Sequence, residues 1–317
     1  MRQTMCFVLG LLVVCGLPLR GHGDVTSFQA DVSSSIVQFQ NGIETQRNDQ
    51  SMSYQGTIPI QVSHTLSGQS PDFGAFNRVL ANDPQYNSAI PRDFIQESAI
   101  GSADSNISLQ VNSLASQTRK LNLLSSEFPN QSVGSQVNLV SKFTLDGALA
   151  AVVPSTAASA EGLLVTCSLK ILQNENEIWT GAVRMTGQSN GTVTAASSGN
   201  IHDSDFVFAQ NTISGMGKIW IVAFDDVELP YSYQGNVGDN FDLTAQLSMD
   251  FTVPGGLGAG SAFGTVPTEM ILLSQQLFEQ HSTPSNAKGI AFAPAPEPTT
   301  LILLITGITI LNRRKRQ

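Results

Sequence analysis

Charge is scarce in this chain. Only 13% of its 317 residues are Asp, Glu, Lys or Arg, and 16 basic residues face 25 acidic ones. No nucleic-acid partner is expected, because binding phosphates needs a basic footprint that displaces counterions. Three cysteines are too few for a disulfide-dense scaffold or a zinc ribbon. Aromatic residues make up 7%, with two Trp and four Tyr, so platforms for stacking on a flat ligand are few. The four histidines never fall in a His-x-His or His-x-x-x-His spacing. There is no Gly-x-Ser-x-Gly elbow and no Walker-type loop, the local signatures of hydrolases and nucleotide binders.

What charge there is lies unevenly. Arg2 and Arg20 lie in the first 23 residues, and Arg313, Arg314, Lys315 and Arg316 in the last five. Every acidic residue falls between Asp24 and Glu297, where ten basic residues leave a balance of −15. Acid-free ends are typical of targeting segments. At the N-terminus, Arg2 precedes the apolar stretch Cys6 to Leu19, and Gly21 and Gly23 place small residues at −3 and −1. This reads as a secretory signal peptide over residues 1–23, cleaved before Asp24. Export implies the Sec machinery and signal peptidase as partners.

At the C-terminus, Pro296, Glu297 and Pro298 precede the uncharged run Thr299 to Leu311, then Asn312 and the basic stop Arg313, Arg314, Lys315 and Arg316. Pro-Glu-Pro cannot continue a helix and stays extended and accessible. The apolar run would enter a bilayer as a helix, and the basic cluster would stay cytoplasmic. This order of motif, apolar run and basic stop resembles the sorting tail of the PEP-CTERM family of exported bacterial proteins. The resemblance covers about twenty residues. It implies recognition and removal of the tail by an exosortase-like membrane protease, and an association with producers of extracellular polysaccharide. The 13-residue run spans about 20 Å as a helix, against roughly 30 Å of bilayer hydrocarbon. That length suits a transient membrane contact before processing better than a permanent anchor. A glycolipid-anchor signal would end in an apolar tail, not in four basic residues.

Between the ends, residues 24–281 read as one ectodomain and 282–295 as a linker of small residues, Pro and Gly. Short alternating runs predict strands at Ser35–Gln40, Thr57–Ser63, Arg119–Leu124, 137–145, 163–171, 177–185, 205–209 and 218–224. Gly, Asn, Asp and Ser clusters separate those of the second half. Phe241 to Phe251 alternates almost without error, which predicts Phe241, Leu243, Ala245, Leu247, Met249 and Phe251 on one buried face. Strands at this spacing predict a mainly β fold, a single antiparallel β-sandwich of jelly-roll-like form. Apolar residues at helical spacing predict helices over Phe73–Ala81 and Arg92–Ile100, so residues 70–130 are expected to form an irregular or helical insertion. The Gly-rich stretch from Gly235 to Gly264 is similar to a late hairpin of PEP-CTERM ectodomains.

Candidate site residues are few. Asp203 and Asp205 are the best pair for calcium, since alternate Asp in a turn can present oxygen ligands; solvated turn residues are the plainer reading. Two more acidic groups, Asp225-Asp226 with Glu228 and Asp239 with Asp242, invite the same two readings. Tyr231 and Tyr233 form an i,i+2 pair that could share an exposed face and stack on a sugar ring, or pack in the core. Cys167 sits in an apolar alternating run and reads as a buried, inert thiol. No cofactor beyond that calcium is expected. The whole reads as a non-enzymatic cell-surface or extracellular-matrix protein with a structural or adhesive role. A carbohydrate- or calcium-binding module is the first rival. A secreted hydrolase is the second, and it needs a pocket that holds His64 or His202 beside a carboxylate or hydroxyl.

Overall fold

A computed structural model describes residues 24–57, 60, 62–70, 73–81, 94–102, 105–213 and 217–263. The expected signal peptide, the linker, Pro296-Glu297-Pro298, the apolar run and the basic stop lie outside the described residues.

The described chain is mainly β, and every paired strand is antiparallel. Its strands are β1 (Asp24–Gln40), β2 (Ile43–Gly56), β3 (Val62–Ser70), β4 (Phe73–Ala81), β5 (Phe94–Ser102), β6 (Ile107–Asn122) and β7 (Gln136–Pro154). Then come β8 (Leu164–Gln173), β9 (Asn176–Gly187), β10 (Val193–Gly199), β11 (Val207–Ile213), β12 (Gly217–Asn236), β13 (Asn240–Val253) and β14 (Gly258–Phe263). A single 3-10 turn, Ser125–Glu127, sits between β6 and β7.

The strands form two seven-stranded sheets. The first runs β10-β9-β8-β13-β6-β1-β2, the second β11-β12-β7-β14-β5-β4-β3. The two orders match strand for strand: β9 touches β12, β8 touches β7, β13 touches β14, β6 touches β5, β1 touches β4 and β2 touches β3. One apolar cluster draws on both sheets. It joins Val111, Val165, Leu247 and Phe251 of the first sheet to Leu149, Val222, Phe224 and Phe263 of the second. The alternation of β13 is realised in full: all six residues expected on its inner face are buried, and Val253 joins them.

Phe73–Ala81 is a strand, not a helix, and so is Phe94–Ser102, which takes in most of the expected second helix. Within residues 70–130 the described segments β4, β5 and β6 are accordingly strands of the two sheets and not a helical insertion. The apolar spacing fits a helix, but β4 is laddered to β3 on one side and β5 on the other, and this pairing overrides local periodicity. The stretch from Gly235 to Gly264 is also not a hairpin. β13 pairs with β6 and β8, whereas β14 pairs with β5 and β7, so the chain changes sheet at Pro254–Leu257.

Strand β12 carries a bulge between Phe224 and Val227, where Asp225 and Asp226 interrupt the register with β7. Before the bulge the inward residues are Trp220, Val222 and Phe224; after it they are Leu229, Tyr231 and Tyr233. One extra residue in one strand exchanges its two faces from that point on.

Candidate functional site

Most of the inner surface is apolar, and its exceptions are concentrated on β1, β3 and β6. Along β1 the inward residues run Ala30, Val32, Ser34 and Ile36. Ser34 lies opposite Ser113 of β6. Its hydroxyl shares a hydrogen bond with Nε2 of His64 on β3, in the other sheet. This polar step separates the large cluster, which includes Ile36, from a small one made of Ala30, Val32, Val62 and Ala115. Burial lowers the His64 pKa, since the charged imidazolium loses hydration. Its Nδ1 has no hydrogen-bond partner among the described residues. Further along β6, Gln117 is buried with both ends of its amide unpartnered among the described residues, and the Arg119 guanidinium lies 4.8 Å over the Phe28 ring.

The outer face of β2, β1, β6 and β13 forms a groove of about 460 Å³, whose lining reaches in to Ser34 and Ser113. Strand register builds it as two rows. In one row Asp49 of β2 pairs with Ser35 of β1, Ser35 with Asn112 of β6, and Asn112 with Asp250 of β13. In the next, Ser51 pairs with Ser33, Ser33 with Leu114, and Leu114 with Ser248. Gln50 adds its amide, and the lining contains no basic side chain. Asn112 Nδ2 donates to Ser35 Oγ at 3.5 Å, which fixes the middle of the first row. Asp49 and Asp250 stand at the two ends of that row, three strand spacings or roughly 14 Å apart. Asp49 lies 3.8 Å from the guanidinium of Arg47. Desolvation raises the Asp250 pKa above the usual carboxylate range.

None of the groove residues carries a recognisable motif. They come from residues 33–35, 49–51, 112–114 and 248–250, and only strand order brings them together.

The residues singled out from sequence are placed elsewhere. Tyr231 and Tyr233 do share a face, with ring centroids 6.1 Å apart, but both are buried, and Tyr233 also packs on Phe241 at 5.6 Å. They are core residues and not an exposed stacking platform, because the β12 bulge turns them inward. Asp203 and Asp205 face different partners. Asp203 Oδ1 accepts from the Ser197 backbone N–H at 3.2 Å and from its hydroxyl at 2.5 Å. Asp205 Oδ2 accepts from the His202 N–H at 2.8 Å and lies 3.6 Å from the His202 ring. Among the described residues no group of three His, Cys, Asp or Glu side chains is placed to hold a metal ion. Asp225 and Asp226 are the bulge, and Asp239 accepts from Asn236 Nδ2 at 2.8 Å. Cys167 is buried, and burial pushes its thiol pKa far up. His64 does meet a hydroxyl, that of Ser34; both residues are buried, and Ser34 also forms part of the groove lining.

No family model matches this chain, and no curated protein matches it. Among solved structures, a chain from infectious bursal virus derived T=1 particles is similar at 14% identity, covering 92% of this chain and 71% of that one, with a TM-score of 0.13. A likeness that low carries no argument about fold or function.

Proposed function

We propose that this is an exported, non-enzymatic protein of the bacterial cell surface or extracellular matrix, with a structural or adhesive role. The two sheets are read as one sandwich, jelly-roll-like where β5 to β8 and β12 to β14 pass back and forth between them. The export signal, the Pro296-Glu297-Pro298 tail and its basic stop would bring the protein to the envelope, through an exosortase-like protease that removes the tail. The observation that carries the adhesive role is the groove on the outer face of the first sheet. It presents hydroxyl, amide and carboxylate groups on a rigid ladder of strands. Side chains held by strands bind with little ordering cost. Mass spectrometry of material recovered from the native cell envelope tests the sorting: a mature protein starting at Asp24 and ending near Pro298 is expected. An intact Arg313-to-Gln317 end on exported protein would refute processing.

A carbohydrate-binding module is the second reading, and the groove favours it. Hydroxyls and amides in rows, with Leu114 as an apolar patch among them, suit a polyhydroxylated chain that offers both O–H edges and C–H faces. Glycan-array binding of the purified protein, lost when Ser35, Asn112 and Ser248 are replaced by Leu, is the expected outcome.

A further inference from the structure

Resting on the carbohydrate reading of the groove, we propose that its ligand is a glycan bearing free amino groups, bound with an ammonium against Asp250. Four observations lead there. The lining has acidic, hydroxyl and amide groups and no basic one, and Arg47 beside it is already held by Glu44 and Asp49, so an anionic glycan would meet repulsion along the groove. A neutral glycan would be served by Ser33, Ser35, Ser51, Ser248 and Asn112 alone and would leave the two carboxylates without use. Asp49 already has Arg47 beside it at 3.8 Å, whereas Asp250 forms no ion pair among the described residues. Asp250 stays exposed at the end of the groove, while the partial desolvation it meets there raises its pKa. A partly desolvated carboxylate without a cation is an unfavourable arrangement. An ammonium brought in by a ligand relieves it and gains a charge-assisted hydrogen bond. The central hydroxyls and Asn112 then hold the sugar hydroxyls, and Leu114 meets a ring face.

A metal ion does not fit the same arrangement. Asp49 and Asp250 are separated by the width of two intervening strands, and a cation bound by one carboxylate and neutral hydroxyls would lack the converging oxygens that calcium takes.

The test is isothermal titration calorimetry of the full chain in mild detergent. The probes are a glucosamine tetramer, its fully N-acetylated counterpart and spermidine. The glucosamine tetramer is expected to bind at least tenfold more tightly than the acetylated one. Asp250→Asn should weaken it about tenfold or more, Asp49→Asn less, and Arg184→Ala, outside the groove lining, not at all. Equal binding of both tetramers, unchanged by Asp250→Asn, would overturn the amine while leaving the carbohydrate reading standing. Binding of neither tetramer overturns both. Spermidine binding as well as the glucosamine tetramer would show a site for cations and not for glycans. Tryptophan emission from buried Trp179 and Trp220 reports whether each variant is folded. Should Asp250→Asn fail that control, the comparison of the three probes on the unsubstituted chain decides the question.

Discussion

The hydroxyl of Ser34 and the imidazole of His64 meet between the sheets, one contributed by each. Each is buried, and each has apolar residues along its strand on both sides. What the polar pair adds is register. A one-residue slip of β1 or β3 would leave a buried hydroxyl or imidazole without its partner, at about 1–3 kcal/mol for each unsatisfied group.

Acid should weaken the fold through this contact. The folded-state pKa of His64 lies below its unfolded value of 6.5. The unfolded chain therefore binds the proton first, and stability is full above that value and falls as pH drops below it. Urea denaturation is expected to show a lower midpoint at pH 5 than at pH 7.5, and His64→Gln should flatten that dependence. A midpoint in the unsubstituted chain that stays constant over this range would contradict the assignment.

Asp250 should show the opposite sign. Its folded-state pKa is raised, so folding opposes ionisation, and the native state gains relative stability as pH falls from the raised value toward 3.8, the ordinary one. Asp250→Asn is expected to raise the melting temperature at pH 7 while it weakens ligand binding. Opposite movements of stability and affinity identify a residue kept for binding and not for the fold.

Gln117 makes a separate case. It lies between Ala30 and Ala245 in the ladder, and both polar ends of its buried amide lack partners among the described residues. Met has nearly the same length and no groups to satisfy. Gln117→Met is expected to stabilise the protein by about 1 kcal/mol or more, measurable as an increased urea midpoint with unchanged slope.

The open edge of β11 gives a fourth expectation. Val207 and Phe208 are exposed there, and Phe206 to Ile213 contains no charge, whereas edge strand β2 carries Glu44, Arg47 and Asp49. Charged side chains blunt edge-to-edge pairing. Phe208→Lys should raise the protein concentration at which light scattering appears, with the melting temperature moved by no more than a degree or two.

The strand content was legible wherever one face is dry and the other wet. Phe241 to Phe251 showed this fully, because each of its inner positions meets the main cluster. Residues 73–81 misled because Phe73, Phe76, Val79 and Leu80 also satisfy a helical period; only pairing with β3 and β5, which no local window contains, decides between the two. The Tyr231 and Tyr233 pair was placed correctly on one face, but which face depended on the bulge at Asp225-Asp226. Those two carboxylates were visible as a cluster, and their meaning was a change of register. The groove was not legible at all, since Ser, Asn and Gln acquire significance only when four distant segments align.

The place of β14 has a mechanical consequence. This six-residue strand lies in the middle of the second sheet, laddered to β7 on one side and to β5 on the other. A tether attached beyond Phe263 would transmit tension along the strand. That load falls on all its ladder bonds together, in shear, where an edge strand would peel away one bond at a time. A protein held to a surface by its C-terminal end would thus meet drag at a strand clamped on both sides.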